Sequence, residues 1–194
     1  MHLLKNIYCK ITLGEREIAP RIILSGDTMF ERFYPHKTAK NVFELDADFY
    51  KDNGIKGVIF DIDNTLVTHD TVCPPEEILE YFAFLENMGI KYSIVSNNYK
   101  ERVDAFCENL GVPYIARAWK PFKKNLKKIC NIFKLKPNEV CLVGDQIFTD
   151  IYGGRRMKFY TVLVTAVGEN ETKFVAFKRI FEKAVMKEYY TKNS

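Results

Sequence analysis

The strongest constraint on this chain is an alternation that begins at Gly57. Short apolar runs, each one strand long, are separated by segments with apolar residues at helical spacing. Gly57-Val-Ile-Phe-Asp-Ile is rich in β-branched and aromatic residues, as a strand buried on both faces should be. Residues 90–95, 113–116, 140–143 and 160–164 repeat that signal. Between them, residues 76–88 carry Ile78, Leu79, Phe82 and Leu85 at helical spacing, after Pro74-Pro75 and before Gly89. Residues 99–110 place Val103, Phe106 and Leu110 on one face, and residues 122–133 do the same with Leu126, Ile129, Cys130 and Phe133. A short helical turn is expected over 149–157, and an amphipathic helix closes the chain. Strands alternating with helices of this length predict βαβ units of right-handed crossover, hence an α/β fold of three layers around a central parallel sheet.

Composition narrows the classes further. With 194 residues, 47% hydrophobic and 28% charged, the chain suits one globular core. The expected organisation is a single domain over 29–194 preceded by an extension over 1–28. The first 56 residues are less regular: Met29 to Pro35 reads as an extended or turn segment, and what precedes it is weakly patterned. No apolar run approaches the length that spans a bilayer. Lys5, Lys10, Glu15 and Arg16 interrupt the N-terminus, so a cytoplasmic protein is expected. The five cysteines are scattered and never form C-x-x-C, which points to free thiols rather than disulfides or a zinc site.

In an open parallel sheet, ligands bind beyond the carboxyl ends of the strands. The distinctive polar clusters all fall there. Asp61-Ile-Asp63-Asn-Thr65 follows the first strand and Ser96-Asn97-Asn98 the second. Lys120-Pro121 comes after the third, and Gly144-Asp145 with Thr149-Asp150 after the fourth. Asp61, Asp63 and Asp145 converging on one pocket would repel severely without a cation among them. Magnesium is the natural occupant of such an all-oxygen set. A carboxylate can attack phosphorus, a second can shuttle the proton, and a hydroxyl and an ammonium can hold the phosphoryl oxygens.

Asp61-Ile62-Asp63-Asn64-Thr65-Leu66-Val67, Val95-Ser96-Asn97-Asn98, Lys120-Pro121 and Gly144-Asp145-Gln146-Ile147-Phe148-Thr149-Asp150 resemble the four motifs of the haloacid dehalogenase (HAD) superfamily. The details resemble the YqeG-type phosphatases of subfamily IIIA, which are similar to the mitochondrial phosphatases acting on phosphatidylglycerophosphate. The resemblance implies Asp61 as nucleophile and Asp63 as acid/base, with Thr65, Ser96, Asn97 and Lys120 on the substrate phosphate. It implies Mg2+ on the side chains of Asp61 and Asp145 and the main-chain carbonyl of Asp63, with Asp150 in support. The implied product is phosphatidylglycerol. The alternatives are a soluble phosphometabolite, a nucleic-acid end or a phosphoprotein as substrate, or a non-catalytic phosphate- or RNA-binding module.

Spacing bears on the substrate. Between Asp61 and Ser96 there is room for a loop and one helix, and between Ser96 and Lys120 for one helix and one strand. Neither gap holds a cap domain, so the pocket should be open, as suits a phosphate borne by something large. A phospholipid headgroup is the expected partner and nucleic acid is not. The last helix offers a stripe of Phe174, Phe177, Phe181, Val185 and Tyr189 flanked by lysines. Such a helix either packs on the core or makes peripheral contact at the inner membrane face. The seven lysines from Lys120 to Lys136, with no acidic residue among them, pose the same choice.

Overall fold

The computed structural model describes residues 30–168 and 173–193; side chains are described through 168 and from 182 to 192. The extension expected over 1–28 lies outside them, as do the side chains of Phe174, Phe177 and Phe181. Six strands form one sheet: β1 (Lys37–Ala39), β2 (Gly57–Phe60), β3 (Lys91–Val95), β4 (Tyr114–Ile115), β5 (Val140–Gly144) and β6 (Tyr160–Val164). Their spatial order is β1-β6-β5-β2-β3-β4, and every pairing is parallel. The expected α/β architecture is the observed one.

The central strands are apolar throughout because both of their faces are covered. Val58 and Phe60 of β2 point into one core layer with Cys141 and Val143 of β5. Ile59 points the other way, with Val140 and Leu142. The first layer is closed by α1 (Ala47–Asp52), α2 (Glu76–Asn87) and α3 (Lys100–Cys107) through Phe49, Tyr50, Ile78, Phe82, Leu85, Val103 and Phe106. On the opposite face lies α4 (Lys123–Phe133), which buries Leu126, Ile129, Cys130 and Phe133 as its spacing predicts. Burying side chains of this size fully contributes about 1.5–3 kcal/mol each. The short α5 (Tyr152–Met157) joins this face, followed by α6 (Lys173–Asn193).

Several expectations change. In α2, Leu79 is exposed and Tyr81 is buried instead, because the inward arc of the helix turns past residue 79. Strand β4 shrinks to two residues at the sheet edge. Residues 30–56 are more regular than their sequence suggests. Lys37-Thr-Ala is a strand only because β6 pairs with it, and α1 starts where the Asp46 carboxylate accepts from the Phe49 N–H at 2.9 Å. Phe30 to Pro35 contains a tight 3-10 turn over Glu31–Phe33 before extending. The expected turn over 149–157 begins earlier, as a π-type turn over Ile147–Ile151 that runs into α5.

For α6, the described part of the stripe, Val185 and Tyr189, packs inward. Val185 is buried, and with Met186 and Tyr189 it meets Tyr34, Ile147 and Ile151. Cys107, Cys130 and Cys141 are buried free thiols and Cys73 is an exposed one, in keeping with the absence of a disulfide among the described residues. Among the described residues, no helix is long and apolar enough to cross a membrane.

Candidate active site

The polar clusters meet at the carboxyl edge of the sheet. The Asp61 N–H donates to the Val143 carbonyl at 3.1 Å, which carries the β2–β5 pairing one residue past the strand. The chain then curls. Asn64 takes a left-handed backbone (φ 61°), and the Thr65 and Leu66 N–H groups return to the Ile62 carbonyl. That turn lets Asp61 and Asp63, two residues apart, face different parts of one pocket.

Asp61, Asp145 and Asp150 are buried, and a carboxylate oxygen from each lies within 4.8 Å of the others. Lys120 is buried among them, its Nζ 2.8 Å from Asp61 Oδ1 and 2.7 Å from Asp150 Oδ1. Burial opposes the Lys120 charge, but the carboxylates of Asp150 and Asp61 outweigh it and hold the ammonium above its ordinary range. Burial pushes the Asp61 carboxyl up to about 6. Lys120 pulls it back down, and Asp150 adds to the rise. Carboxylates this close in a low dielectric need positive charge beside them, and an all-carboxylate donor set suits a hard divalent cation. The residues present therefore fit a metal ion.

Asp150 reaches the cluster through the π-type turn and through a glycine. A Cβ on Gly144 would stand 2.3 Å from Asp150 Cγ, so only glycine leaves room for this carboxylate. The Asp150 Oδ2 accepts from the Gln146 N–H and the Thr149 hydroxyl, each at 3.2 Å.

The other expected residues are placed as follows. The Thr65 hydroxyl donates to Asp145 Oδ1 at 3.4 Å and is buried. Ser96, also buried, accepts on Oγ from the Asn98 N–H at 3.1 Å. Asn97 spends both ends of its amide on the backbone of Lys120: Nδ2 donates to the Lys120 carbonyl at 3.0 Å, and Oδ1 accepts from the Lys120 N–H at 2.6 Å. Expected on the substrate phosphate, Asn97 instead clamps the lysine. Asp63 stands apart from the cluster. Its Oδ1 lies 3.2 Å from Arg102 Nη2, and its Oδ2 accepts from Asn98 Nδ2 at 2.9 Å.

Arg102 is the residue the sequence reading missed. Its guanidinium also donates to the Val72 carbonyl at 3.2 Å and packs over Phe106. The available signal was its position four residues before Phe106, which puts an arginine beside the inward stripe of α3.

With this geometry in view, the family model described as haloacid dehalogenase-like hydrolase matches residues 1–164. The chain belongs to that family. It is 35% identical over 159 residues to "Probable phosphatase YqeG" of Bacillus subtilis (strain 168), covering 81% of this chain and 92% of that protein. It is 29% identical over 144 residues to the "Haloacid dehalogenase-like hydrolase domain-containing protein At2g33255" of Arabidopsis thaliana, covering 71% of this chain. Over 199 aligned residues it is 27% identical to "Phosphatidylglycerophosphate phosphatase 1, chloroplastic/mitochondrial" of the same plant, covering 94% of this chain. The chain spans about half the length of these two plant proteins, 52% and 56%. The family, the YqeG likeness and the carboxylate cluster make this HAD-like chain a phosphatase.

Proposed function

We propose that this phosphatase hydrolyses phosphate monoesters through a phosphorylated Asp61, and that its substrate is phosphatidylglycerophosphate. One observation carries the reaction: Asp61 sits at the carboxyl edge of β2 in a cluster with Asp145 and Asp150, held by the buried Lys120. An Asp61 oxygen attacks phosphorus while the ester P–O bond breaks. Asp63 gives its proton to the departing alcohol oxygen, then takes one from the water that attacks phosphorus and releases Asp61 with inorganic phosphate. Arg102 and Asn98 fix the Asp63 carboxyl for that work. Ser96 and Thr65 donate to the phosphoryl oxygens. Lys120, clamped by Asn97, offsets charge that develops on the transferred group. When bound, a magnesium ion would be held by the Asp61 and Asp145 side chains and the Asp63 main-chain carbonyl, with Asp150 in support, and would neutralise charge between phosphate and nucleophile.

The lipid substrate is supported by the likeness to the plant phosphatase. The pocket supports it as well, since the stretches from β2 to β3 and from β3 to α4 hold only α2, α3 and β4, and no cap domain is inserted there. A soluble protein acting at the cytoplasmic face of the inner membrane would meet such a headgroup. Two assays test the reading. Magnesium-dependent phosphate release from an aryl phosphate should vanish in Asp61→Asn. Phosphatidylglycerophosphate should exceed a panel of soluble sugar, nucleotide and peptide phosphates in kcat/KM; a soluble member that outruns it would overturn the substrate.

A further inference from the structure

Five of the large apolar side chains left exposed on this molecule are Val72, Tyr99, Trp119, Phe122 and Val167. All five lie on loops leaving the carboxyl ends of β2, β3, β4 and β6. Each is tied to the pocket by a hydrogen bond or by its place in the chain. The Val72 carbonyl accepts from Arg102, which holds Asp63. The Tyr99 N–H donates at 2.8 Å to Asn98 Oδ1, and Asn98 holds Asp63 as well. Trp119 and Phe122 bracket Lys120-Pro121, the Phe122 N–H donating to the Trp119 carbonyl at 2.8 Å. The Val167 N–H donates to the Asn64 carbonyl at 2.9 Å. A broken apolar rim therefore surrounds a charged, uncapped pocket. Trp119 and Phe122 are its most exposed members, at 70% and 62%.

Charge completes the pattern. Lys123, Lys124, Lys127 and Lys128 are exposed on the first two turns of α4, directly after Phe122. The first turn of a helix favours acidic side chains, and α2 obeys with Glu76 and Glu77. The first turn of α4 has no acidic residue and two lysines instead, at a cost in helix stability. Aromatic side chains beside lysines are the composition of a surface that sits at the headgroup level of a bilayer. The apolar stripe of α6, by contrast, is taken up by the core at Val185 and Tyr189.

We infer that the Trp119–Phe122 rim and the α4 lysines dock the active-site mouth onto an anionic lipid bilayer, so that the phosphatase works face-down on headgroups. This rests on the phosphatase reading above and deepens it.

The full-length chain tests it without alteration, because Trp119 is its single tryptophan. Phosphatidylglycerol-containing vesicles should shift Trp119 emission to the blue and shield it from acrylamide, and phosphatidylcholine vesicles should not. Lys123→Gln with Lys124→Gln should weaken vesicle partition about 30-fold, on the usual scale for basic residues at an anionic surface. Trp119→Asn with Phe122→Ser should weaken it about tenfold. Both variants should keep wild-type aryl phosphatase turnover, which also reports that they fold. An unmoved Trp119 spectrum would overturn docking, as would partition lost in Lys183→Gln with Lys187→Gln but not in the rim variants. Tighter retention by a soluble polynucleotide than by vesicles would overturn it too. Loss of aryl phosphate turnover in the wild type would instead sink the phosphatase reading and leave the vesicle result standing.

Discussion

The two edges of the sheet carry similar ion pairs with opposite consequences. At the amino edge Lys56 meets Glu139 at 2.6 Å, with the lysine side chain 63% exposed. At the carboxyl edge Lys120 meets Asp61 and Asp150 at 2.8 and 2.7 Å with all three buried. Water screens the first pair, so its formation costs and yields little. The second is taken out of water, where charge interactions are strong and any unpaired member is expensive. The lesson is that the site concentrates unfavourable burial in one place, where a phosphate and a cation can draw on it, while the rest of the sheet is held by ordinary apolar packing.

The contrast can be broken from its strong side first. Asp61→Asn should lower aryl phosphatase turnover by more than about 1000-fold, measured as released phosphate, because no other group can take the phosphoryl. Lys120→Met should cost about 3–5 kcal/mol in urea unfolding of the metal-free protein, since it leaves Asp61 and Asp150 facing each other uncompensated. Arg102→Met should cost less than Lys120→Met, about 1–3 kcal/mol in the same assay, and reduce turnover about tenfold, because the half-buried Asp63 keeps Asn98 but loses the ion-pair partner that orients it.

A weaker effect is expected at His36. Its Nε2 lies 2.7 Å from Arg155 Nη1, and burial first, then Arg155, lowers its pKa from 6.5 to about 4. The unfolded chain takes up this proton near pH 6.5 and the folded one only near 4, so stability is lost as pH falls through that window. The ring is only partly shielded and the residue as a whole remains in contact with solvent, so screening discounts the loss to about 1 kcal/mol or less; His36→Asn should flatten the fall in urea midpoint between neutral and acid pH. Smallest of all, Lys56→Gln should change stability by less than about 0.5 kcal/mol in the same assay. A larger value there would erase the distinction between the two edges.

Legibility followed the physics of each element. Helices α2, α3 and α4 announce themselves because burial on one face imposes a period on the sequence, and strands β2, β3, β5 and β6 because burial on both faces leaves short, continuous apolar runs. Strand β1 and helix α1 do not, since a three-residue edge strand and a six-residue helix are too short to show a period and exist through their partners. The same division runs through the site. Asp61, Asp145, Asp150 and Lys120 could be picked out because their residue types follow strand ends in a fixed order. Arg102 could not, because an arginine on a helix is ordinary until something buries it against Asp63.

The sequence by itself determined five of the six strands, their parallel direction and the set of polar residues at the carboxyl edge, because apolar patterning and chain order are local properties. Only the tertiary structure decided how those residues share the work. Asn97 turns onto the backbone of Lys120, Asp63 is drawn aside by Arg102 and Asn98, and Gly144 makes room for Asp150. These assignments depend on which side chains from distant parts of the chain come within hydrogen-bonding distance, and no local pattern encodes a distance across the fold.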